Sequence, residues 1–594
     1  MRLRLIRLRF RRSIRKSQQQ FEDIGQQAER GIERHIFKRI GHLARVRRFV
    51  IGWLLLMVLL IGGLIAQIFL LSGYYQTLQF IPGGIYNEGI VGRFTNANPL
   101  FATNDVDSSV SKLIFASLFS YNDKNQLVGD LAKSYSVNTK GTTYTVHLKP
   151  HLTWQDGRPL TSKDVVFTYK IIQNPDTQSP LQNSYIGVSV SAPNPSTVVF
   201  KLPDPLTSFP YSLMNGIVPE HLLANVDPVT MRSVDFNTVD PVGSGPFSWQ
   251  AIQVSGDDPT TSEEQIALTP FAHYQGGAPK LSQFVFHIYA DSGQLAQAFK
   301  AHQLDGAEGF NDVPSSLRKM PSLENHSLLL SAATMVFFKT SNGVLADSQV
   351  RQALVRGANV PAIISQLGYL TRAVREPLLM AQLGYNPSYK QDSYNLTAAK
   401  NALDADGWTI GKNSMRSKNG TPLSFNLTAA DTPEYHIVVT DLQNDWKKLG
   451  VQIQPLFLNS VDLQSAVSQH DYDSVLYGIS IGVDPDVFVY WDSSQADIRS
   501  TNRLNLSEYK NATADDALEA GRTRQDPALR VIKYQPFLQQ WQSDNPALGL
   551  YQPRLLYLTD GPVKGLDDQT TINTATDRFD NVQNWEIDQA KVSD

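Results

Sequence analysis

The chain has 594 residues, 42% of them hydrophobic and 18% charged, a globular composition with length enough for several domains, which excludes a disordered chain. It contains no cysteine, and that excludes disulfides, thiolate metal sites and a lipid-modified Cys anchor. The formal charge of −3 hides a division: residues 1–48 hold 15 Lys and Arg against 4 Asp and Glu, a net of +11, and the remainder carries −14.

The basic arm opens with RLRLIRLRFRR, and from Phe21 onward apolar residues recur at helical spacing through Ile24, Ala28, Ile32, Ile36, Ile40 and Leu43. This pattern predicts an amphipathic helix lying on the inner leaflet of a membrane. Residues 49–71 then run for 23 residues without a charge, where about 20 apolar residues suffice to cross a bilayer. A transmembrane helix over 49–72 is expected to meet lipid, with the basic arm cytoplasmic and everything after it extracytoplasmic, because Lys and Arg mark the inner side. Tyr74-Tyr75 suits the headgroup interface, and no small-residue cleavage site follows the span, so the helix is expected to stay attached as a single-pass anchor. The arm lacks aromatic interleaving, so nucleic acid is not an expected partner.

Farther along, residues 142–148 (TTYTVHL), 197–202 (TVVFKL) and 284–289 (FVFHIY) alternate with period two and predict strands. Thr161 with Asp164 three residues on predicts a capped helix whose buried face carries Val165, Val166, Tyr169 and Ile172. Interleaved strands and helices on this scale predict α/β lobes. His147 and His151 are four apart, but His147 sits in the strand pattern and Pro150 lies between them, so they cannot share a helix face for a metal. No metal or cofactor is expected.

Gly478-Ile479-Ser480-Ile481-Gly482 fits the G-x-S-x-G elbow of a serine hydrolase, in which the His follows the Ser along the chain. All eleven histidines precede Ser480, the last being His470, so that order cannot be met. A hydrolase using Ser480 is the lesser alternative; the stretch reads as a strand running into a loop.

Residues 129–169, GDLAKSYSVNTKGTTYTVHLKPHLTWQDGRPLTSKDVVFTY, closely resemble the signature of the extracytoplasmic solute-binding proteins of family 5, the peptide- and nickel-type binding components of ABC importers. The resemblance continues in order through PVGSGPF from Pro241, DSQVRQALVRGANVPAII from Asp347, YNLTAAKNALDADGW ending at Trp408, and LYQPRLLYL with VKGL near the C-terminus. In these stretches Gly243 and Gly245 read as permitting a backbone turn, Trp154 and Trp408 as core, and the Arg351 helix as scaffold.

The resemblance implies a periplasmic-binding-protein-like, type II two-lobe α/β clamp with an extra subdomain. Lobe 1 is expected over 73–335 with an inserted subdomain at about 120–240, lobe 2 over 336–548, and a return to lobe 1 over 549–594. The implied function is that of a membrane-anchored receptor of an ABC importer, which captures oligopeptides or similar extended polar solutes by lobe closure and presents them to permease subunits, without covalent chemistry. An occupancy sensor signalling through the basic arm is the alternative.

In peptide-binding relatives the stretch around residue 480 resembles G-W-x-x-D-Y-x-D-P-x-x-F, whose strand pairs with the peptide backbone and whose first Asp holds its amino terminus. Aligned on Asp484-Pro485, Tyr477 stands at the Gly, Gly478 at the Trp, Ile481 at the amine-binding Asp and Gly482 at the Tyr. The implied contacts are therefore backbone groups of Tyr477, Gly478, Ile479, Ser480 and Ile481. Asp484 or Asp486 could supply a charge from a shifted position, Asp484 belonging otherwise to a structural Asp-Pro turn. Ser460 falls where some relatives place a Trp; Asn104, Asp105 and Asp107 either face the cleft or are solvated turn residues, and Tyr185 either replaces the aromatic platform or packs.

Overall fold

The computed structural model describes residues 47–72 and 76–593 except 123, 256–262, 370, 412, 498, 501–502 and 567–570. The amphipathic helix expected over 21–43 lies outside these residues. Of the described residues, those up to Gln79 and from Gln589 onward form one unit, which holds the helix Arg47–Ser72 and most of a ribbon that pairs Gln76–Phe80 with Gln589–Ser593. The helix stretch Phe49–Gln67 is long and apolar enough to cross a membrane, and its large apolar side chains from Phe49 to Ile65 are exposed.

The second unit, Phe80–Asp588, is organised by two main sheets with separate hydrophobic cores. The first sheet runs Thr571–Ile572, Leu323–Leu330, Arg554–Asp560, Gly306–Glu308, Ile85–Val91, Gln283–Tyr289, Glu263–Pro270 and Phe247–Ser255. The second runs Gln452–Leu458, Ser424–Ala430, Ser474–Ser480, Ala332–Phe338 and Ala547–Tyr551. The chain passes from the first sheet to the second between Leu330 and Ala332, and returns between Tyr551 and Arg554. Two adjacent crossings leave two lobes joined by a pair of short connections, the geometry of a hinge.

A four-stranded antiparallel sheet, Ala132–Val137, Thr143–Leu148, Thr197–Lys201 and Ser189–Asn194, extends the first lobe and shares its core. Here the expected strands at 142–148 and 197–202 form. The expected strand at 284–289 forms as Gln283–Tyr289 in the first main sheet. Thr161 and Asp164 make both bonds of the capping box at the start of helix Ser162–Gln173. Val165, Tyr169 and Ile172 are buried, while Val166 is half-buried at the edge of that face. Trp154 and Trp408 are core residues, and the Arg351 guanidinium donates to the carbonyls of Leu345, Ala346, Asp544 and Asn545, a scaffold role.

The chain bends at residues 244–246 as expected, and Gly243 and Gly245 have a further role. Neither has positive φ; instead Gly245 N–H donates to the Ile114 carbonyl at 2.7 Å, and a methyl carbon at either position would overlap the backbone of Ile114. These glycines permit close backbone approach between the loop and helix Asp105–Ile114.

Strand Ile85–Val91 is parallel to both neighbours and lies inside the lobe, yet it carries Glu88. Arg578 meets it at 2.9 Å, with both side chains fully buried, and the Tyr557 hydroxyl donates to the other carboxylate oxygen at 2.5 Å. Removing one partner leaves an uncompensated buried charge, a cost of about 3–5 kcal/mol. Arg578→Met is expected to lower unfolding stability by that amount in urea titration. Glu88→Leu combined with Arg578→Met is expected to lose less than either single change.

A second buried acid gives a pH dependence. Glu376 is fully buried, its Oε2 accepts the Asn386 N–H at 3.2 Å, and its Oε1 has no partner among the described residues. Burial pushes its carboxyl from 4.5 up to about 7. The folded chain thus holds this proton more tightly than the unfolded one, so the stability it contributes is complete below about 4.5 and is lost as pH rises through about 7. Glu376→Gln is expected to remove that loss, making the variant more stable than the parent at pH 8 but not at pH 4.5, as read by denaturation midpoints.

Candidate ligand-binding site

Strand Ser474–Ser480 stands between Ser424–Ala430 and Ala332–Phe338, but its two edges are not equally paired. It pairs along its whole length with Ala332–Phe338 and only at Ser474 and Val475 with Ser424–Ala430. Antiparallel partners exchange hydrogen bonds at every second residue. Lys339 N–H donates to Asp473 O, and Ile481 N–H to Ser331 O, so the odd-numbered residues 473–481 face the paired edge. The even-numbered residues face the other side, where no strand lies beyond Val475 among the described residues.

This alternation corrects the expected set of backbone contacts. The N–H and C=O groups of Tyr477 and Ile479 are committed to the neighbouring strand, and the Ile481 N–H to the Ser331 carbonyl. Ile479 and Ile481 also bury their side chains in the second lobe's core. The open edge consists of Gly478 and Ser480, both exposed, with the Ser480 carbonyl already accepting the Tyr490 hydroxyl at 2.5 Å. A Cβ at Gly478 would meet only the Tyr435 hydroxyl, at 3.7 Å, and Tyr435 stands in the first turn of the 15-residue helix Pro433–Lys447, whose N-cap is Thr432. The neighbouring Glu434 is held by the hydroxyls of Tyr369 and Tyr551 at 2.9 and 2.6 Å.

After Ser480 the chain turns through Gly482, with φ +74°, into Asp484-Pro485-Asp486. Neither carboxylate is free. Asp484 accepts both Nη atoms of Arg530 at 2.7 and 2.8 Å, a bidentate pair almost closed to solvent. Asp486 accepts the Ser208 hydroxyl at 2.9 Å and lies 3.2 Å from Arg522, whose guanidinium covers the Phe488 ring. Asp484 therefore takes the structural role of the two considered for it, and the shifted charge sought at Asp486 is already neutralised. Gln382, buried, secures the turn by donating to the carbonyls of Gly482 and Asp484.

Other expected contacts are distributed elsewhere. Asn104 is the N-cap of helix Asp105–Ile114, and the buried Asp107 accepts the N–H groups of Thr95 and Asn96, so both stitch the loop. Asp105 is exposed in the first turn of that helix. Ser460 is exposed as the first residue of helix Ser460–Gln469. Tyr185 is 2% exposed in the first lobe's core, its hydroxyl held by the Ser212 carbonyl and Asn215, which settles it as packing.

Four tyrosines that sequence reasoning missed, Tyr121, Tyr135, Tyr144 and Tyr211, come from the first lobe close enough to Asp484 for its charge to act on their hydroxyls. Burial, and after it Asp484, hold the hydroxyls of Tyr135 and Tyr211 above the ordinary value. Their spacing carries no sequence signal, since they come from different elements. Among the described residues no group of three or more His, Asp or Glu is placed to hold a metal.

The sequence model of bacterial extracellular solute-binding proteins, family 5, matches residues 126–500. The oligopeptide-binding protein AppA of Bacillus subtilis is 25% identical over 492 residues, covering 79% of this chain and 86% of AppA. The structure of AppA in complex with a nonapeptide superposes with a TM-score of 0.67 at 23% identity, covering 86% of this chain and all of that one. NikZ from Campylobacter jejuni in complex with Ni(L-His) superposes with a TM-score of 0.70 at 21% identity, covering 85% and 99%. The two lobes are those of a type II periplasmic binding protein, and with most of the chain matched in sequence as well, it belongs to the bacterial extracellular solute-binding proteins of family 5.

Proposed function

We propose that this chain is the membrane-tethered receptor of an ABC importer, capturing an oligopeptide or similar extended polar solute between its lobes and presenting it to permease subunits. The observation that carries this reading is the half-open edge at Gly478 and Ser480: unpaired main-chain groups on a strand inside a cleft are a template for one more extended segment. Tyr135 and Tyr211 supply donors from the opposite lobe, and closure removes the solute from water. That AppA binds oligopeptides supports the same class.

The stretch Phe49–Gln67 is proposed as the anchor, with the basic arm inside the cell and the lobes outside. Family membership supports binding rather than turnover, so Ser480 contributes its N–H and not a nucleophile.

Native mass spectrometry of the full chain released from nanodiscs is expected to show a heterogeneous envelope of peptide masses; one discrete non-peptide mass would overturn the substrate class. N-methylating the peptide residue that meets Gly478 is expected to weaken binding about fivefold, the worth of one net hydrogen bond of about 1 kcal/mol. Ser480→Ala should leave affinity nearly unchanged.

A further inference from the structure

Where strand Ser474–Ser480 ends, a cavity of about 250 Å3 opens beside both hinge connections. Gly482 lies on one wall, and Ser331 and Gln552, one from each crossing, on another. Among the described residues two cations line it and no carboxylate does: Lys124 from the first lobe and Arg372 from the second. Neither has an ion-pair partner among the described residues.

Both are carried on fixed supports. Lys124 is at the tip of the hairpin joining Phe119–Tyr121 to Leu127–Gly129, its N–H held by the Asn122 side chain. Asn125 beside it, at φ +58°, ties that tip to Ser331 and Asn573. Arg372 flanks the bridge between Ala373 and Tyr551, and its carbonyl accepts the Gln552 N–H. The amides around the cavity are spent on the frame: Gln382 donates to Gly482 and Asp484, and Gln552 to the Leu330 carbonyl. Among the described residues the charge left to face a guest is positive.

We propose that this cavity is an anion subsite of the solute cleft, in which Lys124 and Arg372 together hold one carboxylate or phosphate of the bound molecule. A cleft lined by one sign of charge concentrates its field, and a guanidinium matches either anion with two parallel bonds. Because the cations belong to different lobes, an anion that both of them hold favours lobe closure. The proposal rests on the solute-receptor reading and names its ligand class: an extended molecule whose end at the hinge is anionic, not a free amine.

The test uses the full chain in nanodiscs with three probes: inorganic phosphate, N-acetyl-tetra-alanine acid and the corresponding amide. Phosphate is expected to raise the melting temperature above that in chloride of equal ionic strength. The rise should be absent in Lys124→Gln with Arg372→Gln and present in Lys124→Arg with Arg372→Lys. The peptide acid is expected to bind at least tenfold tighter than the amide, with the difference abolished in the double glutamine variant. A phosphate response equal in parent and double variant, or acid and amide bound equally by the parent, overturns the subsite and leaves the peptide reading standing. No binding of either peptide, with the phosphate response intact and lost in the double variant, supports the subsite and sinks the peptide class instead.

Discussion

The constraint on which the rest depends is the two-residue repeat of antiparallel pairing along Ser474–Ser480. One edge of that strand is saturated by Ala332–Phe338, and the other loses its partner after Val475. Unpaired main-chain groups in a dry interior would be costly, so this edge must face either water or a guest. The departure of Ser424–Ala430 leaves room for such a guest, and the first turn of helix Pro433–Lys447 borders it.

That edge terminates at the hinge, and this placement links recognition to motion. The strand that saturates it, Ala332–Phe338, is also the strand by which the chain enters the second lobe. Ile481 and Gly482 both donate to the carbonyl of Ser331, the residue between the two sheets. A solute seated along Gly478 and Ser480 therefore bears on elements anchored directly at the crossing. Only a guest that contacts the lobes differently when open and closed can shift their balance. Cations supplied from opposite lobes have that property, whereas main-chain bonds confined to one lobe do not.

Much of this was legible in the residues. The capping box at Thr161 and Asp164 and the helix of the apolar stretch are local patterns whose physics acts within a few positions, and each formed where expected. The site was harder, because its meaning comes from pairs far apart in sequence. Asp484 reads as a candidate charge until Arg530, 46 residues later, closes on it. Tyr185 reads as a platform until its hydroxyl meets Ser212 and Asn215 inside the core. Gly243 and Gly245 read as turn formers because the backbone they approach, at Ile114, is more than a hundred residues upstream. Ile479 and Ile481 could be separated from Gly478 and Ser480 only once the register with Ala332–Phe338 was known.

The lobes also touch directly. Thr207 N–H donates to the Arg522 carbonyl and its hydroxyl to that of Arg524, Ser208 donates to Asp486, and Gln525 donates to the Thr207 hydroxyl. Four such bonds, exchanged for bonds to water on opening, amount to roughly 2–6 kcal/mol in favour of closure. Against this stands the hydration that the unpaired main-chain groups of the edge at Gly478 gain in water. A clamp balanced within a few kcal/mol can be moved from mostly open to mostly closed by a solute of ordinary affinity, provided that its contacts exist only when the lobes are together. Asp486, held by Arg522 and Ser208, thus belongs to the contacts between the lobes that opening would break.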